Sequence, residues 1–362
     1  MNIGILTFHK AHNYGALLQS IALRQAIIRL GHNVSYIDYW PEFHDSEYKF
    51  FNKFLFRRIS LLGKINYLRK LAIGGTKIKR RIHVFKEFID EYIEPFCTNI
   101  SSKSEFDAIV YGSDQIWRKQ CEGKYEFDKT FFGQNEFKTI RNVSYAASMG
   151  IISCNEEDKL FITTSLKKFN KIGVREKDLK ELLESYGLQG IKQCLDPTLL
   201  ISKEQWIDLL KIPFDNRKPY VLFYDLIQGS FDINFVKQFA DEKGLQLIVL
   251  KASVNNYNYG VKTIEDASPK EFISLIANAE YVFTSSFHGL AFSIIFEKQF
   301  YAAYKNNGSR ALTLLEALGL ENRLFGNNGN ISVKENIDYN IVRKKLIELK
   351  KDSTDFLSAA LK

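Results

Sequence analysis

The first 39 residues constrain the fold more than any other stretch. "NIGILTF" (2–8) is a short apolar run, and "ALLQSIALRQAIIRLG" (16–31) repeats its apolar residues at helical spacing before ending on Gly31. "VSYIDY" (34–39) is a second β-branched and aromatic run. Strand, helix and strand in so short a span make one βαβ unit. That unit requires a right-handed crossover and a parallel sheet.

The alternation continues along the chain. "DAIVYGS" (107–113), "NVSYAAS" (142–148), "KIGVRE" (171–176) and "QCLDPTLL" (193–200) form one series of strand-like runs. A second series comprises "PYVLFYDL" (219–226), "LQLIVLK" (245–251), "YVFTSS" (281–286) and "QFYAAY" (299–304), with helical patterns such as "PKEFISLIANA" (269–279) and "ALTLLEALG" (311–319) between them. Two prolines in "LKIPFDNRKP" interrupt the pattern between the series. A chain of 362 residues is long enough for two domains. The expected fold class is α/β, with two Rossmann-like doubly wound domains facing each other across a cleft. The first is expected over 1–205, with a basic insertion at 51–90, and the second over 206–362, its last helices packing back on the first.

Composition narrows the class of protein. With 45% hydrophobic and 25% charged residues the chain can bury a sizeable core. No apolar run approaches the roughly 18–20 residues that span a bilayer. "MNIGILTFHKAHNYG" has no basic leader region and reads as a first strand, so a cytoplasmic location is expected. Cys97, Cys121, Cys154 and Cys194 lie far apart with no histidine at ligand spacing, a pattern of reduced thiols with no metal site. The net charge of +8 is uneven: Phe51 to Asp90 contain eleven Lys or Arg against two acids, interleaved with Phe, Leu and Ile. Such a segment suits peripheral contact with an anionic membrane at its inner face. A solvated helical pair with lysines outward fits the same pattern. No nucleic-acid module accompanies it, so nucleic acid is not expected as a partner.

In doubly wound sheets the ligand sits beyond the carboxyl ends of the strands. Polar residue types gather at those ends here: "HKAHNYGA", "GSDQIW", "REKD" and "SSFHG". His288 follows "YVFTSS" at a strand-to-helix turn, where an imidazole beside an anionic substrate suits a general acid. A histidine bonded to backbone in a packed turn is the alternative. Arg175 and Arg310 offer planar forks for phosphate or carboxylate, or pair with Glu176 and Glu316 as structural salt bridges. Asn13, Tyr14 and Gly15 lie where a loop becomes a helix, and amides there suit an anion or a sugar hydroxyl. Asp114, Gln115 and Trp117 put a carboxylate, an amide and an aromatic face within four positions, the groups that hold a sugar ring. An Asp helix cap with Trp117 in the core satisfies the same residues.

Taken in order, "NYGALLQSIAL", "FDAIVYGSDQIW", "VSYAASMG", "IGVRE", "CLDPTLL", "AEYVFTSSFHGLAFSIIF" and "SRALTLLEALGL" resemble the polysaccharide pyruvyl transferase family nearly end to end. The resemblance implies a GT-B-like fold with the active site in the cleft. It also implies transfer of a pyruvyl group from phosphoenolpyruvate to two hydroxyls of a sugar, as a ketal, without a cofactor. By similarity His288 would be the acid and Arg175 would bind the donor, with Arg310 completing a cationic clamp. Independently of the resemblance, the carboxylate of Asp114 suits orienting the acceptor. Many family members carry Arg-Leu-His where this chain has Ser286, Phe287 and His288, so either Arg310 or a lysine such as Lys305 would supply the missing charge, or the donor differs. The expected partner is a saccharide acceptor of a surface polysaccharide, one carried on a lipid diphosphate. Two rivals stand beside this reading: a GT-B glycosyltransferase using a nucleotide-sugar, and a non-catalytic capsule-assembly protein.

Overall fold

Parallel pairing throughout gives the protein two sheets. The structure is a computed structural model, and it describes residues 1–98, 105–119, 125–213, 218–227, 229–255, 257–304, 308–325 and 336–362. The first sheet contains β1 (Asn2–Leu6), β2 (Asn33–Ile37), β3 (Cys97–Thr98), β4 (Glu105–Tyr111), β5 (Lys138–Ala147), β6 (Lys171–Val174) and β7 (Ile191–Gln193). Their order is β3-β2-β1-β4-β5-β6-β7. The second contains β8 (Tyr220–Asp225), β9 (Gln246–Lys251), β10 (Lys262–Ile264), β11 (Tyr281–Thr284) and β12 (Gln299–Ala302), in the order β10-β9-β8-β11-β12. Sequence explains the burial: all six residues of β8 are inside, as a strand covered on both faces by helices demands.

Around the first sheet lie α1 (Tyr14–Arg29), α2 (Glu42–Glu47), α3 (Lys53–Arg58), α4 (Leu61–Tyr92), α5 (Glu156–Leu166) and α6 (Lys177–Ser185). The connection holds α7 (Lys203–Leu210). Around the second sheet lie α8 (Ile233–Glu242), α9 (Pro269–Ala277), α10 (Phe287–Ile295) and α11 (Ser309–Leu318), and α12 (Tyr339–Ala360) ends the chain. The strand order reverses once in each sheet, between β1 and β4 and between β8 and β11. Both reversals open a crevice at the carboxyl ends, and the two crevices face one another across a cleft in a GT-B-like arrangement.

One apolar core runs through both halves. Tyr14 of α1 stacks on Phe272 of α9 with centroids 4.5 Å apart, and its hydroxyl donates to the Ala267 carbonyl at 2.8 Å. Leu17, Leu18 and Ile21 join Ile273, Leu275 and Ile276 in the same buried cluster. Trp206 of α7 packs on Phe292, 5.2 Å between centroids, so residues 205 and 206 lie within a helix that touches the second half. Helix α12 crosses back: Asp352 pairs with Lys192 at 2.7 Å, and the Ser353 hydroxyl accepts from the Leu195 amide at 2.9 Å.

The basic insertion forms α3 and α4. The last third of α4 buries Phe85, Phe88 and Ile89. Before it, Lys77 pairs with Glu265 at 3.0 Å and Arg80 with Asp266 at 3.3 Å, so α4 straps one half to the other. Among the described residues no helix is long and apolar enough to cross a membrane.

Candidate active site

The cleft of 220 Å³ opens where both strand orders reverse. Asn13 comes from the loop after β1, Asp114, Gln115 and Arg118 from the loop after β4, Leu226 from the end of β8, and Ser286 to His288 from the end of β11. Helices α1 and α10 both begin here, so two positive dipole ends border the space. Each helix is capped by its own sequence. The Asn13 side chain accepts from the amides of Gly15 (2.9 Å) and Ala16 (3.2 Å). Ser286 Oγ accepts from the Gly289 amide at 3.3 Å.

Behind the cleft a buried carboxylate joins a cation and an imidazole. Asp196 Oδ2 lies 2.9 Å from Arg175 Nη2 and 3.6 Å from His288 Nε2. Its Oδ1 accepts from the Thr198 amide at 2.9 Å and the Thr198 hydroxyl at 2.6 Å. The Asp196 side chain is fully buried, and burial alone would raise its pKa. The Arg175 guanidinium and His288 reverse that and hold the carboxyl well below the usual carboxylate range. Arg175 also donates to Ser113 Oγ, and its plane lies 5.4 Å from the centre of the Phe287 ring. Its Nε and Nη1 are buried without a hydrogen-bond partner among the described residues. Buried guanidinium donors left unsatisfied are costly, which suits a group waiting for an anion.

His288 is itself only 8% exposed. Its ring rests against the backbone of Gly15, where any Cβ would come within 1.9 Å of Nδ1. Glycine is therefore required by the close approach of two halves, not by backbone torsion.

A second ion pair stands alongside, with Glu176 buried and Arg310 partly exposed. Arg310 Nε is 3.8 Å from Glu176 Oε1, and Ser148 donates its hydroxyl to the same oxygen. Burial raises the Glu176 pKa, with Arg175 and Arg310 acting against it. With its amide oxygen turned toward Arg310, Gln115 accepts from Nη2 at 2.7 Å and Nη1 at 3.3 Å. Arg118 enters the cleft 5.7 Å from the centre of the Phe8 ring. Among the described residues the site thus gathers guanidinium groups, helix N-termini, two imidazoles (His288 and His44) and one cleft carboxylate, Asp114. Groups of these kinds can hold an anion and move a proton.

A sequence profile described as polysaccharide pyruvyl transferase matches residues 13–306. The chain belongs to the polysaccharide pyruvyl transferase family. No curated protein matches it. Among solved structures it is similar to the UDP-GlcNAc 2-epimerase of Methanocaldococcus jannaschii, with 11% identity over 97% of this chain and 92% of that one, and a TM-score of 0.48. It is also similar to the glycosyltransferase SnogD of Streptomyces nogalater (10% identity, 98% and 95% covered, TM-score 0.43). A third similarity is to the sucrose-phosphate synthase of Thermosynechococcus elongatus (13%, 100% and 95%, 0.42).

In this pyruvyl transferase family member the structure brings Asn13, Asp114, Gln115, Ser286, His288 and Arg310 together at one cleft. Arg175 reaches the group from behind, through Asp196. Three expected acceptor residues do not line the cleft. Trp117 is fully buried, its ring stacked on Phe132 at 5.5 Å and its Nε1 donating to the Phe131 carbonyl, so no face is left for a sugar. Tyr14 is spent between the halves, on Phe272 and Ala267. Gly15 seats the His288 ring instead of offering open backbone to a ligand. Lys305 lies outside the described residues. Asp114 does not cap a helix: it has φ 73° and its Oδ1 accepts from the next amide at 2.8 Å.

Sequence reasoning did not single out Asp196, Ser113 or Arg118. "CLDPTLL" carried the signal for Asp196, since an Asp before Pro beyond a strand end sits among the other strand-end polar groups. One three-residue group with ligand atoms within 4.8 Å of one another also exists among the described residues, namely His9, Asp38 and Cys97. Lys10 Nζ stands 2.8 Å from Asp38 Oδ1, where its charge competes with any cation.

Proposed function

We propose that this protein transfers a pyruvyl group from phosphoenolpyruvate to two hydroxyls of one sugar residue in a polysaccharide precursor. The observation that carries the reading is the linkage of His288 and Arg175 through buried Asp196 at the edge of a cation-lined cleft. In the reaction the methylene carbon of the donor gains a proton from His288. The central carbon becomes oxocarbenium-like, and one sugar hydroxyl adds to it and gives up its proton. The second hydroxyl then displaces phosphate, again losing a proton, so donor and diol become ketal and inorganic phosphate. Asp114 is the group for orienting those hydroxyls and accepting their protons.

Asp196 lies 3.6 Å from Nε2 of His288 and Gly15 seats the Nδ1 edge, so the imidazole is held in a fixed orientation at the wall of the cleft. Arg175 and Arg310, with the N-terminus of α10, hold the donor's phosphate and carboxylate. Arg175 is buried and Arg310 largely so, each fixed by a carboxylate, so the clamp is assembled before substrate arrives. Arg310 provides the fixed charge for which Ser286 has no substitute. An acceptor carried on a lipid diphosphate fits the basic character of the segment after the first βαβ unit.

The test is donor binding and phosphate release with phosphoenolpyruvate, in wild type, His288→Ala and Arg175→Ala, across galactose-, glucose- and mannose-type acceptors. Saturable binding lost in Arg175→Ala, with turnover lost in His288→Ala, is the expected result. Absence of donor binding in wild type, or turnover of a nucleotide-sugar in its place, would overturn the reading.

A further inference from the structure

Helix α4 is amphipathic in the wrong direction for a soluble surface over its first half. Leu61, Leu62, Ile65, Leu68 and Ile73 fall on one arc of the helix, and that arc faces outward. Their exposures are 76%, 76%, 49%, 49% and 70%. Further along, the exposed face turns polar, carrying Thr76, Lys79, Arg80, His83 and Lys86. A helix that only packs on its own protein would show the polar arrangement throughout.

The patch is held in a fixed shape. Phe51, Phe56 and Tyr67 form a ring cluster with centroids 5.0–5.9 Å apart, and the Asn52 amide donates to the Tyr67 hydroxyl at 2.8 Å. This cluster fastens α3 beside α4. Leu55 of α3 is itself 45% exposed.

Charge identifies what covers it. From Tyr48 to Lys86 the chain has twelve Lys or Arg and no Asp or Glu. Arg57 and Arg69 are exposed among the aliphatics, and Lys64 lies over Phe56. A second copy of the chain would bring this acid-free surface against itself. Nucleic acid would leave the five aliphatics without an apolar partner. An anionic bilayer satisfies both features at once, with aliphatic side chains entering the headgroup boundary and cations meeting the lipid phosphates.

We infer that α3 and the first half of α4 form a docking face for an anionic bilayer, with Leu61, Leu62, Ile65, Leu68 and Ile73 as the inserting residues. The division of labour along α4 follows: its first half meets lipid, while Lys77, Arg80 and Phe85 onward fasten it to the protein. The inference stands on exposure and charge, independently of the chemistry in the cleft.

Vesicle flotation tests it, with phosphatidylglycerol-containing and pure phosphatidylcholine vesicles. Wild type is expected to float with the first and not the second, and to be released by salt. Leu61→Ser/Leu62→Ser/Ile65→Ser is expected to weaken binding by roughly tenfold or more. Arg57→Glu/Arg69→Glu should also lose it, and both variants should keep the wild-type melting temperature and phosphoenolpyruvate titration. That titration keeps a failure of this inference distinct from a failure of the transferase reading. No flotation, equal flotation with both vesicles, or a concentration-dependent dimer abolished by the serine variant would overturn it.

Discussion

The imidazole of His288 fills the space that a side chain at residue 15 would need, since a Cβ on Gly15 would stand 1.9 Å from Nδ1. The imidazole of one half therefore rests on the helix start of the other. Gly15→Ala is expected to push the ring away from Asp196 and cost turnover about as much as losing a positioned acid, on the order of 10²–10⁴-fold. Phosphate release measured beside a thermal melt checks it. Wild-type turnover in this variant would show that the seat is dispensable.

Asp196 is where stability and chemistry meet. Truncation to alanine leaves Arg175 buried without its counter-charge, at a cost of about 3–5 kcal/mol. The native pKa is depressed, so the ionised pair contributes fully above the unfolded carboxyl value of about 3.9 and is lost as pH falls below it. Urea unfolding of wild type and Asp196→Asn should therefore differ at neutral pH and converge in acid. A gap that stays constant with pH would deny the ion pair its role.

His12 offers a pH dependence of opposite chemical origin. It stacks on Tyr48 at 4.8 Å and Phe85 at 5.4 Å; burial, aided by Arg81, lowers its pKa to about 4. Between 6.5 and about 4 the unfolded chain binds a proton that the native state refuses. Stability is thus complete above 6.5 and declines as pH falls toward 4. His12→Phe should flatten that decline, which denaturant midpoints across the window would reveal.

Trp117→Phe separates packing from recognition. The change removes the Nε1 bond to the Phe131 carbonyl and part of a filled core. A loss of about 1–3 kcal/mol in stability is expected, with KM for the acceptor unchanged. A raised KM with intact stability would return Trp117 to the cleft.

The alternation of apolar runs was enough to read both parallel sheets, because buried parallel strands leave an unmistakable trace such as "YVLFYD". Strand ends then pointed to His288, Asp114 and Gln115, since loops beyond carboxyl ends have few other tasks. What stayed hidden were relations between distant segments. Nothing near position 14 announces that Tyr14 will meet Phe272, and nothing near 117 distinguishes a stacking tryptophan from a core one. Asp196 looked like a turn residue, because its two partners lie 21 and 92 positions away in sequence. The outward aliphatics of α4 were visible as residues but not as a surface, since only the docking of Phe85, Phe88 and Ile89 fixes the rotation of the helix.

The Tyr14–Phe272 stack makes the halves unsuitable as interchangeable parts. A chimaera joining this chain's first half to a relative's second half would have to reproduce the contour of α9, the seat at Gly15 and the anchor of α12 together. Calorimetry should accordingly record a single melting event for the whole chain. New acceptors would have to be reached by substitution around the mouth of the cleft, one residue at a time, rather than by trading modules.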